Sequence, residues 1–183
     1  MRKVVVAFDP GKKNFAYSIL SKKGKLLDFN LLGNEVSQKE GLISNLKEGE
    51  ILVKQYKKFV SDLRKILKII KKNDAHFILI YERFIPRGLT KGNLSEIVSM
   101  LIGMLILTMN IRRCRKVVPV TAATWKVHRN KFELLIDNDT LSVHVSDSIG
   151  MALHYLLKEN YLTLKKVKSI VKKINITNFK ERP

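Results

Sequence analysis

Cysteine occurs once, at Cys114, so no disulfide can staple the chain, and such usage fits a reducing compartment. Acidic residues are scarce: sixteen Asp and Glu stand against thirty-five Lys and Arg, a formal charge of +19. That imbalance selects a polyanionic partner, either nucleic acid or an anionic membrane surface. No apolar run approaches the ~20 residues that cross a bilayer, which excludes a spanning helix. No internal repeat or low-complexity linker occurs. The first strand follows Met1-Arg2-Lys3 directly, so no signal or transit peptide is expected and the expected location is intracellular. Hydrophobic residues make up 45% of the 183, which excludes wholesale disorder and suffices for one domain with a buried core.

The pattern of the chain predicts an α/β domain. Val4 to Phe8 is an apolar run, expected to be a strand buried on both faces, ended by Asp9 and the Pro10-Gly11 turn. Strands over 3–9, 14–21 and 25–32, with short connections, suggest an antiparallel meander. Turn formers without periodicity over 33–49 predict a loop. From Ile51 to Lys72 apolar residues recur at spacings of three and four with lysines between them, an amphipathic helix. Phe77 to Tyr81 is a second buried strand, ended by Glu82. Asn93 or Ser95 is expected to cap a helix reaching about Asn110, so densely apolar that it must be buried on two sides, under the sheet or against another subunit. Val117 to Val120 follows as a short strand, and a helix over 141–157 is capped by Thr140 or Ser142. A last helix with a basic face is expected beyond Tyr161, fraying after Asn175.

Two carboxylates therefore end buried strands, and a third, Asp147, shares a helix face with His144 three residues before it. Small residues at Ser148, Gly150 and Ala152 are expected to let that helix approach the sheet closely. A lone acid would be an N-cap or half of an ion pair. Converging acids repel one another and stay ionised only with cations among them. Oxygen-rich sites favour Mg²⁺ or Mn²⁺, and two such ions about 4 Å apart suit in-line phosphodiester displacement. Ile111 to Lys131 holds seven Lys or Arg, no acid and the one tryptophan, Trp125, a residue type that usually packs in a core.

Three stretches together, Ala7-Phe8-Asp9-Pro10-Gly11-Lys12-Lys13-Asn14-Phe15-Ala16, Ile80-Tyr81-Glu82-Arg83 and His144-Val145-Ser146-Asp147-Ser148, resemble the RuvC-type Holliday junction resolvases of the RNase H-like superfamily, especially their viral branch in poxviruses and phages. The resemblance covers nearly the whole chain. It implies an RNase H-like mixed five-stranded sheet, an antiparallel meander plus parallel strands, flanked by helices. It also implies a homodimeric, Mg²⁺-dependent endonuclease, with two ions in each site, that nicks opposed strands of a four-way DNA junction. Asp9, Glu82 and Asp147 match the family's metal-binding acids; His144 matches a position where members carry Asp or His, as metal ligand or as a group orienting water. The helix 94–110 matches the family's dimer helix. Phe84 lies two residues after Glu82, whereas the bacterial enzymes place an aromatic wedge at three, so no base-stacking role is carried over.

The expected organisation is a nuclease domain over 1–160, with 161–183 a basic C-terminal helix and tail of the same domain. The expected DNA-gripping cations are Lys12, Lys13, Arg83, Arg87, Lys126, Arg129 and Lys131, chosen on local charge. No small-molecule cofactor and no membrane partner are expected. A viral source would imply the host-cell cytoplasm or the site of viral DNA replication. Two other readings stand beside the resolvase: a broader branched-DNA debranching nuclease, and a non-catalytic junction-binding protein.

Overall fold

Alternation along the first strand decides which way everything faces. In the computed structural model, which describes residues 2–11, 14–33, 46–73, 75–83, 92–132 and 142–176, β1 spans Arg2–Asp9. Successive side chains of a strand point to opposite faces. Val4, Val6 and Phe8 accordingly enter one apolar cluster and Val5 and Ala7 the other. All five are buried, as the unbroken apolar run requires.

β2 (Asn14–Ser21) and β3 (Leu26–Gly33) complete an antiparallel meander, while β4 (Ala75–Glu82) and β5 (Cys114–Val120) run parallel to β1. The spatial order is β3-β2-β1-β4-β5, so β5 is an edge. That explains why β5 starts three residues before the expected Val117. An edge strand tolerates Arg115 and Lys116 on its exposed side and a proline, Pro119, within it.

Helices cover both faces. α1 (Leu46–Lys72) and α2 (Gly92–Met109) close the face of Val4, Val6 and Phe8, with Phe59, Leu63, Ile66 and Ile70 of α1 buried against Leu101 and Leu105 of α2. Each such side chain, fully buried, is worth roughly 1.5–3 kcal/mol. α1 starts at Leu46, inside the expected 33–49 loop, because Leu, Lys and Glu propagate a helix and one Gly costs only about 1 kcal/mol. α2 starts before both expected caps, Asn93 and Ser95. On the other face α4 (Val143–Lys158) crosses β1 and β2, flanked by α3 (Ala122–Phe132) and α5 (Leu164–Ile176). Val167, Val171 and Ile174 of α5 are buried in that same cluster.

α3 is the element that periodicity did not reveal. It has no apolar stripe: Trp125 is fully buried, whereas Val127 is more than half exposed. Its first turn is closed by Thr121, whose carbonyl accepts from the amide and from Oγ1 of Thr124. Among the described residues, no helix is long and apolar enough to cross a membrane.

Candidate active site

Strand parity places the first two acids. The register pairs Phe8 with Tyr81, so Asp9 and Glu82 are the next residues on adjacent parallel strands. Asp9 has the parity of Val5 and Ala7, and Glu82 that of Ile78 and Ile80, so both point to the α4 side. Opposite them α4 begins. Ser142 is its N-cap, its hydroxyl accepting from the amide of Val145. Two residues on, His144 Nδ1 meets Asp9 Oδ2 at 2.7 Å. An ionised carboxylate can only accept, so Nδ1 carries the proton. Asp147, one turn further along, is buried.

The remaining partners come from α3. Trp125 donates its indole Nε1–H to Glu82 Oε2 at 2.8 Å. Lys126, expected among the DNA-gripping cations, lies over the Trp125 ring with its Nζ 3.7 Å from Asp147 Oδ2. Nothing local in the sequence marked this pairing; its only signal was that Trp125 and Lys126 fall just after the strand next to β4. Gly150 completes the arrangement. A Cβ there would meet the six-membered ring of Trp125 at 3.1 Å, so the small residue admits the indole. The close approach expected between α4 and the sheet at Gly150 is made to Trp125 instead.

The electrostatics tie these groups together. Glu82 has its carboxyl pushed above the usual range, first by burial and then by the negative charge of Asp9. The Trp125 hydrogen bond and Lys126 oppose that rise. His144 is raised above the ordinary imidazole value, chiefly by its hydrogen bond to Asp9. Burial opposes this, the charges of Asp9 and Asp147 add to it, and Lys126 opposes it again.

Among the described residues no three His, Cys, Asp or Glu side chains form a ready-made metal cage. Asp9, Glu82 and Asp147 each have a different protein partner: His144, Trp125 and Lys126. The donor chemistry, three carboxylates with one imidazole at one end of the sheet, nevertheless suits a hard divalent cation, which would relieve the repulsion felt at Glu82. Arg83, the residue after Glu82, is exposed, and its amide donates to the carbonyl of Val120. The backbones of Arg129 and Lys131 belong to α3, but their side chains lie outside the described residues, as do Lys12, Lys13, Phe84, Arg87 and Thr140.

A mixed sheet of this order, covered by helices on both faces and carrying acids at the ends of neighbouring strands, defines the RNase H-like class of α/β fold. Among solved structures, the chain is similar to Thermus thermophilus RuvC in complex with a Holliday junction substrate, at a TM-score of 0.61 and 12% identity over 86% of this chain and 96% of that one. A second Thermus thermophilus RuvC structure matches at a TM-score of 0.57 and 13% identity over the same shares. The yeast mitochondrial Holliday junction resolvase, Ydc2, matches at a TM-score of 0.51 and 14% identity over 93% and 83%. No protein-family model matches the sequence, and no curated protein does. At these identities the likeness is one of fold.

Proposed function

We propose that this protein is a structure-selective DNA endonuclease that resolves four-way junctions by metal-dependent phosphodiester hydrolysis, making paired nicks as a homodimer. The observation that carries the reading is the shared parity of Asp9 and Glu82, which turns two adjacent strand-end acids toward the helix bearing His144 and Asp147. The fold likeness to a RuvC bound to its junction supports the substrate class, and the +19 charge supports a polyanion. The resemblance of the three motifs to RuvC-type resolvases, especially viral ones, is the reason for placing the chain in that branch, with 161–183 as part of the same domain.

Asp9, Glu82, Asp147 and His144 would hold Mg²⁺ or Mn²⁺. When bound, two such ions supply charge stabilisation to the attacking and leaving oxygens of an in-line displacement. The protein's own groups do the rest. Trp125 fixes one Glu82 oxygen, His144 keeps a proton at Nδ1 against Asp9, and Lys126 balances the buried charge of Asp147. Arg83 and Lys126, with Lys12, Lys13, Arg87, Arg129 and Lys131, are assigned to the DNA backbone.

The dimer is assigned to α2. Along it Met100 and Leu107 are 50% and 82% exposed, and Gly103 between them has open space where a Cβ would be. These three share a helix face, and the missing side chain would let a second helix approach closely. The deciding experiment is Asp9→Asn with Mg²⁺ and a synthetic immobile four-way junction. Cleavage should disappear while junction binding persists; retained cleavage overturns the site. Single nicks on flaps and Y-forms without paired nicks on the junction would favour the debranching nuclease.

A further inference from the structure

The end of the sheet opposite the acids carries a different charge. The amide of Lys22 donates to the carbonyl of Lys3 at 3.2 Å, so the β2–β3 turn lies at the start of β1. Six steps along the strand lead from Lys3 to Asp9, roughly 20 Å at ~3.3 Å each. This turn does not project freely into solvent. Gly24 adopts a φ of +79°, open to glycine at little cost, and Ile170 and Leu162 crowd the place its Cβ would take. Lys22 Nζ lies 4.1 Å over the ring of Tyr161. Two contacts therefore press the turn onto the segment that leads into α5 and onto α5 itself.

Packing thereby gathers like charges. Lys166 and Lys173 stand one helical turn before and after Ile170, the residue against which Gly24 rests. Both are exposed, as are Lys22, Lys23 and Lys25 of the turn and Lys165 and Lys172 of α5. Glu159 is already engaged by Lys116 at 3.5 Å. Lysines drawn together repel one another, and a phosphate backbone relieves that repulsion while releasing its counterions.

We propose that this pole, formed by Lys22, Lys23 and Lys25 with Lys166, is a second binding site for the backbone of duplex DNA, separate from the acid-bearing end. Single-strand sites stack bases on exposed aromatic rings. Among the described residues no large aromatic side chain is exposed, so a lysine-only surface fits a duplex better. A membrane surface fits poorly, because the apolar stripe of α5 (Val167, Val171, Ile174) is consumed by the core and cannot enter a bilayer. The proposal needs no cleavage and stands apart from the assignment of Asp9, Glu82 and Asp147.

The test uses the full chain in EDTA with a short, unbranched, fluorescein-labelled duplex, followed by anisotropy across a salt series. The variant K23E/K25E/K166E is compared with K54E/K57E/K58E, an equal change of charge on exposed lysines of α1. At about 0.1 M salt the pole variant should bind about tenfold or more weakly, and its dependence of log K on log salt should flatten by about 0.9 for each phosphate no longer neutralised. The α1 variant should keep the wild-type slope. Equal weakening of both variants would mean that only overall charge matters, and unchanged binding by the pole variant would be equally fatal. Loss of binding to phosphatidylserine vesicles with duplex affinity intact would assign the surface to a membrane and overturn the proposal. K23Q/K25Q/K166Q, which removes charge without reversing it, must show the same direction of effect, and decides the matter if the Glu variant does not fold.

Discussion

The indole of Trp125 donates to Glu82 across 2.8 Å while the far side of the same ring rests on Gly150 of α4. One buried side chain thus sets the spacing between a strand-borne acid and the helix that carries Asp147. Trp125→Phe keeps a ring in the core but leaves Glu82 without its donor. Groups that orient metal ligands typically cost 10–100-fold when removed. Mg²⁺-dependent junction nicking should therefore fall by about that range, with a smaller loss in junction affinity measured in EDTA.

Gly150→Ala tests the other side of the ring. Alanine is the better helix former by up to about 1 kcal/mol, but overpacking a core typically costs 1–3 kcal/mol. With Trp125 fully buried and its indole hydrogen-bonded to Glu82, the variant should be less stable by about 1 kcal/mol, read from urea denaturation. In a Trp125→Phe background the shorter ring relieves the contact, and the same substitution should become neutral or stabilising. A cost that persists in the double variant would mean the crowding is not with the indole.

His144 should titrate above the ordinary imidazole value in metal-free protein, because Asp9 holds its proton. The sign follows from linkage. A folded-state pKa above the unfolded one gives stability that is fully present below about 6.5 and is lost as pH rises through the folded value. An NMR titration should show the His144 midpoint raised, and Asp9→Asn should lower it. An unmoved midpoint would break the His144–Asp9 link.

Leu107 tests the dimer. Leu107→Glu places a charge on the most exposed large apolar residue of the described chain without touching the core. Sedimentation should show monomers, and paired nicks on a junction should give way to single ones. A dimer that survives the charge must use another surface.

Gly24→Ala probes the turn. A non-glycine residue held at positive φ costs roughly 1–2 kcal/mol, and here its Cβ must also displace Ile170. Thermal unfolding should fall by several degrees, with duplex affinity in EDTA reduced as the lysines are released from α5.

Much of this molecule could be read from local pattern. The alternation of Val4 to Phe8 and the three-and-four spacing of α1 each name an element and its buried face, because a side chain's direction repeats along a strand or helix whatever surrounds it. Asp9 and Glu82 stood out for the same reason: each is a charge where an apolar strand stops. Edges were harder to read. The start of β5 hid behind Arg115 and Lys116, which only an edge strand accommodates, and α1 extended through Gly49 into what read as a loop.

What the sequence determined by itself is therefore the strands, the main amphipathic helices and the acids at special places, all consequences of periodicity within one segment. The tertiary structure alone decided their partners. α3 has no stripe to announce it, and its worth lies in two adjacent residues: Trp125 reaching Glu82 and Lys126 reaching Asp147. Those contacts join segments far apart in the chain, and they exist because β5 lies beside β4 and its connection brings α3 over the strand ends. Lys126, expected to grip DNA, also stands beside a buried acid, since proximity between distant segments is set by packing and not by local composition.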